Sequence, residues 1–119
     1  MAKLDFRTFN RPVLELTMVD AAETTINVTS PTQGLIAELE AMLPELEGIY
    51  AAGDKAAIDA IYDLAARLIS CNKEGLQVTA EDLRGKYWPA EPVANMMYAV
   101  GFYSAYMDFV QEINTGKNV

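Results

Sequence analysis

Histidine is absent from the 119-residue chain, and cysteine occurs once, at Cys71. Without histidine the commonest general base is missing, and with it the commonest transition-metal ligand. A single cysteine makes neither an internal disulfide nor a thiolate zinc cage, which fits a reducing compartment. Cys71 ends a helical pattern, where the helix dipole disfavours a thiolate, so it reads as a small packing residue and not as a nucleophile. Positive charge is also scarce. Nine Lys and Arg against seventeen Asp and Glu leave a net charge of −8. The basic residues are scattered, and no cluster of them can track a phosphate backbone, so neither nucleic acid nor an anionic membrane surface is an expected partner. The seven glycines form no phosphate-cradling run; Gly85-Lys86 lacks both the upstream glycine and the following Ser or Thr of a phosphate loop. The first residues carry no apolar core of a secretion signal. The apolar stretch 93–110 is long enough to span a bilayer, but Asn95, Ser104 and Asp108 interrupt it and basic flanks are missing.

What is present is a globular balance in a one-domain length. Hydrophobic residues make up 51% of the chain, enough to build a core that needs no staples. The reading is a single α+β domain over 1–119. An antiparallel β-hairpin or meander (1–29) precedes a helical bundle of three to five helices (30–114), and 115–119 is a mobile tail. Leu14, Leu16 and Met18 alternate with Val13, Glu15, Thr17 and Val19 in one strand. After the loop 20–23, a return strand over 24–29 places Ile26 and Val28 on one face. Leu4-Asp5-Phe6-Arg7-Thr8-Phe9 is a candidate third strand.

Helix signals follow. Ser30 can cap, with Pro31 at the first helical position and Gln33 at the capping-box site. Leu35, Ile36, Leu39, Met42, Leu43 and Leu46 then recur at helical spacing, and Pro44 either kinks this helix or ends it. Gly53 stops the segment and Asp54 caps the next, an amphipathic helix over 54–71 whose stripe is Ile58, Ile61, Leu64, Ala65, Leu68 and Ile69. Asn72 to Gly75 break it. Thr79-Ala80-Glu81-Asp82 opens a short helix reaching about Tyr87, and Trp88 to Pro92 form a rigid connection. A final helix covers 93–113, with Gly116 as its stop. Chemistry is sparse along these elements. Glu38, Glu40, Glu45 and Glu47 read as a solvated face. Asp59 and Asp63 share a helix face but find no third oxygen ligand at a matching offset, so no metal or other cofactor is expected.

The final helix carries more apolar surface than one buried stripe requires. Met96, Val100, Tyr103, Met107 and Val110 form one row; Ala99, Phe102, Tyr106, Phe109 and Ile113 form the next. Either the helix is buried on most sides by its own domain, with the hydroxyls of Tyr98, Tyr103 and Tyr106 at the rim, or one row packs the core while the other meets a partner. The candidate contact set is Trp88, Met96, Val100, Phe102, Tyr103, Tyr106, Met107, Phe109 and Val110, rich in the aromatics and methionines that adaptable protein contacts use.

The order of these features resembles the tail assembly chaperones of long-tailed phages and prophages, especially those of Gram-positive hosts. The resemblance runs from Leu4-Asp5-Phe6-Arg7-Thr8-Phe9-Asn10-Arg11-Pro12 through the hairpin 13–29. It continues through Thr29-Ser30-Pro31-Thr32 into Leu35-Ile36-Ala37-Glu38-Leu39, and the helical remainder is compatible with it. It implies a protein of the host cytoplasm, not an enzyme, that binds the tape-measure protein and assists tail-tube protein in assembling around it. It also implies self-association, absence from the finished virion and, in many members, a longer frameshifted product. Two other readings stand beside it: a tail completion or head–tail joining protein that stays in the particle, and an acidic regulatory module that binds a basic partner.

Overall fold

The computed structural model describes Ala2, residues 12–46, Gly48 and residues 53–115. Their architecture is α+β, with an N-terminal hairpin leading into helices. The candidate strand 4–9, the stop at Gly116 and the tail beyond Thr115 lie outside the described residues.

Strand β1 (Leu14–Thr17) pairs antiparallel with β2 (Thr25–Val28), Leu14 opposite Val28 and Leu16 opposite Ile26. The alternation turns Ile26, Val28 and Met18 into the core and leaves Glu15 and Thr17 exposed. Asp20 builds the turn between the strands. Its carboxylate accepts from the Thr24 N–H (2.8 Å) and the Thr24 hydroxyl (2.5 Å), and Glu23 sits in the left-handed region at φ 49°. Beyond β2, the loop after the second helix closes on the sheet. Thr29 N–H donates to the Cys71 carbonyl, Lys73 N–H to the Asn27 carbonyl, and the Glu74 carboxylate receives both the backbone and the side-chain N–H of Asn27. Gly75, at φ +71°, makes the reversal that lets this loop return. Asn72 holds it, accepting from Leu76 N–H and donating to the Ile69 and Leu76 carbonyls.

Helix α1 (Gln33–Met42) starts later than the serine signal suggests. Thr32 is the cap, extended at φ −71° and ψ 160°, and its hydroxyl accepts from Leu35 N–H. Ser30 and Pro31 therefore precede the helix, and Gln33 is its first residue instead of a capping-box partner. The competing cap residue two positions on is the cause: threonine caps as serine does. Pro44 ends α1, which gives way to a 3₁₀ turn over Leu43–Glu45.

Helix α2 (Lys55–Ile69) is capped by Asp54, whose carboxylate accepts from Ala56 N–H. From Ile61 to Ile69 only Asp63 and Arg67 face solvent, so this stretch is the centre of the core. Arg67 ties α1 to it with a two-pronged pair to Glu38 (2.8 and 2.9 Å) and a third bond to Asp63. Glu38 stays half exposed, as a solvated face requires, and has a partner on α2 besides. Helix α3 (Ala80–Asp82) opens with a reciprocal capping box between Thr79 and Asp82 and widens into a π turn over Leu83–Tyr87. Helix α4 (Pro92–Thr115) runs for 24 residues. Among the described residues no helix is long and apolar enough to cross a membrane.

Candidate partner-binding surface

Helix α4 is held on two sides by its own chain. On one side the Tyr103 hydroxyl donates to the Ile61 carbonyl of α2. On the other, Phe102 meets Trp88 with ring centroids 6.2 Å apart, and Trp88 meets Tyr62 at 6.5 Å. Tyr106 and Phe109 continue this aromatic chain along the helix. Among the residues expected to form the contact set, Trp88, Met96, Phe102, Tyr103, Tyr106, Phe109 and Val110 are buried in this core. Met107 is half-buried, and Val100 is exposed at 43%. Apart from Val100, the two rows read from the sequence are largely covered by the domain itself, so of the expected contact set Val100 is the member left on an open face. The hydroxyls expected at the rim divide as well: only Tyr98 is exposed, while Tyr103 and Tyr106 are enclosed.

The open face of α4 lies on Val93 and Met97, each 67% exposed, with Tyr98, Val100, Gly101 and Ser104 beside them. Steps of three and four join Val93, Met97, Val100 and Ser104 into one solvent-facing row. Sequence periodicity assigned Val100 to a neighbouring row and passed over Val93 and Met97, because this row carries fewer apolar residues than the covered ones.

Two concavities flank this face. The first, about 420 Å³, is lined by Ile58, Tyr62, Arg84, Ala90, Pro92, Val93, Asn95 and Met96. The Arg84 guanidinium lies 4.2 Å above the Tyr62 ring and donates to Asp59 at 2.8 Å. Asn95, 3% exposed, donates to the Leu83 carbonyl (2.9 Å) and the Pro89 carbonyl (2.7 Å), locking the start of α4 against the π turn. In the sequence Asn95 read only as an interruption of an apolar run; its structural role rests on carbonyls freed by the wide turn.

The second concavity, about 390 Å³, lies between β1 and α4. Glu15, Leu16, Thr17 and Met18 line one side, and Met97, Tyr98, Gly101, Phe102 and Ala105 the other, with Trp88. Successive residues of a strand point to opposite faces, so a groove touching four in a row runs along the strand's edge. Residues of β2 do not line it, so it follows the edge of β1 that faces away from β2.

The titratable groups carry structure. Asp59 and Asp63 face Arg84 and Arg67. The Glu38 carboxyl is held below its ordinary range by the Arg67 hydrogen bonds, Glu74 by Asn27 and Asp20 by Thr24. Burial pushes the phenols of Tyr103 and Tyr106 well above theirs. Cys71 Sγ rests 3.6 Å from the Arg67 carbonyl. Among the described residues no three His, Cys, Asp or Glu side chains converge as a metal site would require. Comparison with protein-family models, curated proteins and solved structures finds no match.

Proposed function

We propose that the chain acts by binding another polypeptide, as a tail assembly chaperone that holds the tape-measure protein of a long-tailed phage and assists tail-tube assembly. The observation that carries the binding reading is the open row of Val93, Met97 and Val100 on a helix whose other rows are already covered. Large apolar side chains that stay exposed together, rimmed by polar residues, mark contact sites. The assignment to tail assembly is supported by the order of hairpin, Ser-Pro-Thr connection and helices. The net charge of −8 keeps a protein with an apolar face dispersed. A host-cytoplasmic, oligomeric chaperone that leaves before the particle is complete belongs to the same proposal.

Co-expression with the proposed client, a tape-measure protein of a long-tailed phage, tests this reading. The partner is expected to move from the pellet to the soluble fraction and to co-purify with the chain. A partner that aggregates equally with and without the chain contradicts the chaperone reading. Recovery of the chain from purified particles favours a resident tail or joining protein instead.

A further inference from the structure

Among the described residues, the edge of β1 beside α4 has the chemistry of an open strand position. Met18 N–H donates to the Thr24 carbonyl, which fixes the phase of the ladder. In an antiparallel pair the residues alternate between those bonded to the partner strand and those whose N–H and C=O point away. Leu14, Leu16 and Met18 therefore face β2, while Glu15 and Thr17 direct their backbone groups outward. The opposite edge of the sheet obeys the same phase, and there Asn27 and Thr29 are met by the 71–74 loop. On the β1 side the next residue in phase, Val19, donates to the Tyr87 carbonyl at 3.0 Å. Tyr87 thus begins a strand-like partner at one end. Among the described residues nothing continues it past Thr17 and Glu15.

We propose that the groove between β1 and α4 receives an extended segment of a partner chain, added as a strand along Glu15 and Thr17. Its alternate apolar side chains enter between Leu16, Trp88, Met97 and Gly101, and a lysine or arginine stands opposite Glu15. Backbone donors and acceptors along an edge select an extended occupant, while the groove beside them reads every second side chain. Gly101 keeps the groove open: a Cβ placed there meets no heavy atom within 4 Å. Charge selects a foreign segment over a second copy. Among the described residues Glu15 is the one charged side chain lining the groove, and pairing two β1 edges brings two such carboxylates and two chains of charge −8 together. The proposal rests on the reading of the chain as a polypeptide binder and names the partner's conformation and side-chain pattern.

The test uses the full chain and a short acetylated, amidated peptide alternating valine with lysine and threonine. Amide hydrogen exchange is followed residue by residue with and without the peptide. The expected result is slowed exchange at Glu15 and Thr17 on adding peptide, with Leu16 unchanged. Methylating the peptide nitrogens that face β1 is expected to weaken binding at least about tenfold, because each removes an edge hydrogen bond. Gly101→Leu fills the groove from an exposed helical position and is expected to weaken binding similarly while the chain stays folded. Thr17→Pro removes an outward N–H and leaves the β1–β2 ladder intact. Glu15 and Thr17 amides already protected in the free chain would mean that the edge is covered from within, which overturns the proposal. Peptide binding that ignores N-methylation, Thr17→Pro and Gly101→Leu alike overturns it too. Loss of the peptide result with partner solubilisation intact removes this groove and leaves the chaperone reading standing.

Discussion

Tyr103 and Tyr106 stand three positions apart on α4, both enclosed, with different partners. Tyr103 donates to the Ile61 carbonyl, whereas the buried Tyr106 hydroxyl has no hydrogen-bond partner among the described residues. Tyr103→Phe is expected to cost about 1 kcal/mol, and Tyr106→Phe to be neutral or to stabilise by about as much, since an unsatisfied buried hydroxyl carries a desolvation penalty. Urea denaturation of the two variants checks this. Acid sensitivity belongs to the same scale. The folded-state carboxyls of Asp20, Glu38 and Glu74 lie below their unfolded values. The stability they contribute is present above the ordinary carboxylate range and is lost as pH falls through the lowered folded values. Melting temperature is therefore expected to drop as pH is taken below about 4, and Glu74→Gln to flatten that drop. The two phenols act oppositely: their stabilisation is intact below the ordinary tyrosine range and is lost as pH rises above it. The partners behind these effects were not legible in the sequence. Arg67 and Glu38 are 29 positions apart, and Asn27 and Glu74 are 47 apart.

At the scale of elements, local signals were read well where a single residue decided the outcome. Asp54 and Thr79 cap because each is the one competent residue before an apolar run. Pro44 leaves a kink and an end both open in the sequence; in the structure α1 ends there, because proline cannot donate into the preceding turn. At the start of α1 the serine signal points two residues too early, because Thr32 takes the cap in its place. The π turn over Leu83–Tyr87 had no sequence signal; Asn95, binding carbonyls from another element, is what accompanies it. Thr79→Ala is expected to cost about 1 kcal/mol through loss of the capping box. Gly101→Ala is expected to stabilise by about 1 kcal/mol, since the site is helical, exposed and free of neighbours. Thermal melts of these two variants should move in opposite directions. Periodicity found the two rows of α4 that are apolar but could not tell how many of them the domain covers. Tyr103 of one row reaches α2 and Phe102 of the other reaches Trp88, while Val100 stays open, and these approaches depend on the path of the 70–91 segment.

In the whole molecule, α4 keeps one apolar row in solvent while its larger apolar side chains are enclosed. Burial separates core from contact at this scale. Phe109→Asp places a charge where Phe109 is 3% exposed and is expected to unfold the chain, so it reports on stability alone. Met97, 67% exposed, can take the same change without loss of the fold. The most direct measurement is partner solubility in co-expression with wild type and with Met97→Asp, the variant's fold being verified by circular dichroism and melting. A folded Met97→Asp chain that leaves the partner insoluble, where wild type dissolves it, is the predicted result. An equally folded variant that dissolves the partner as well as wild type does would contradict the claim that this face of α4 holds another chain.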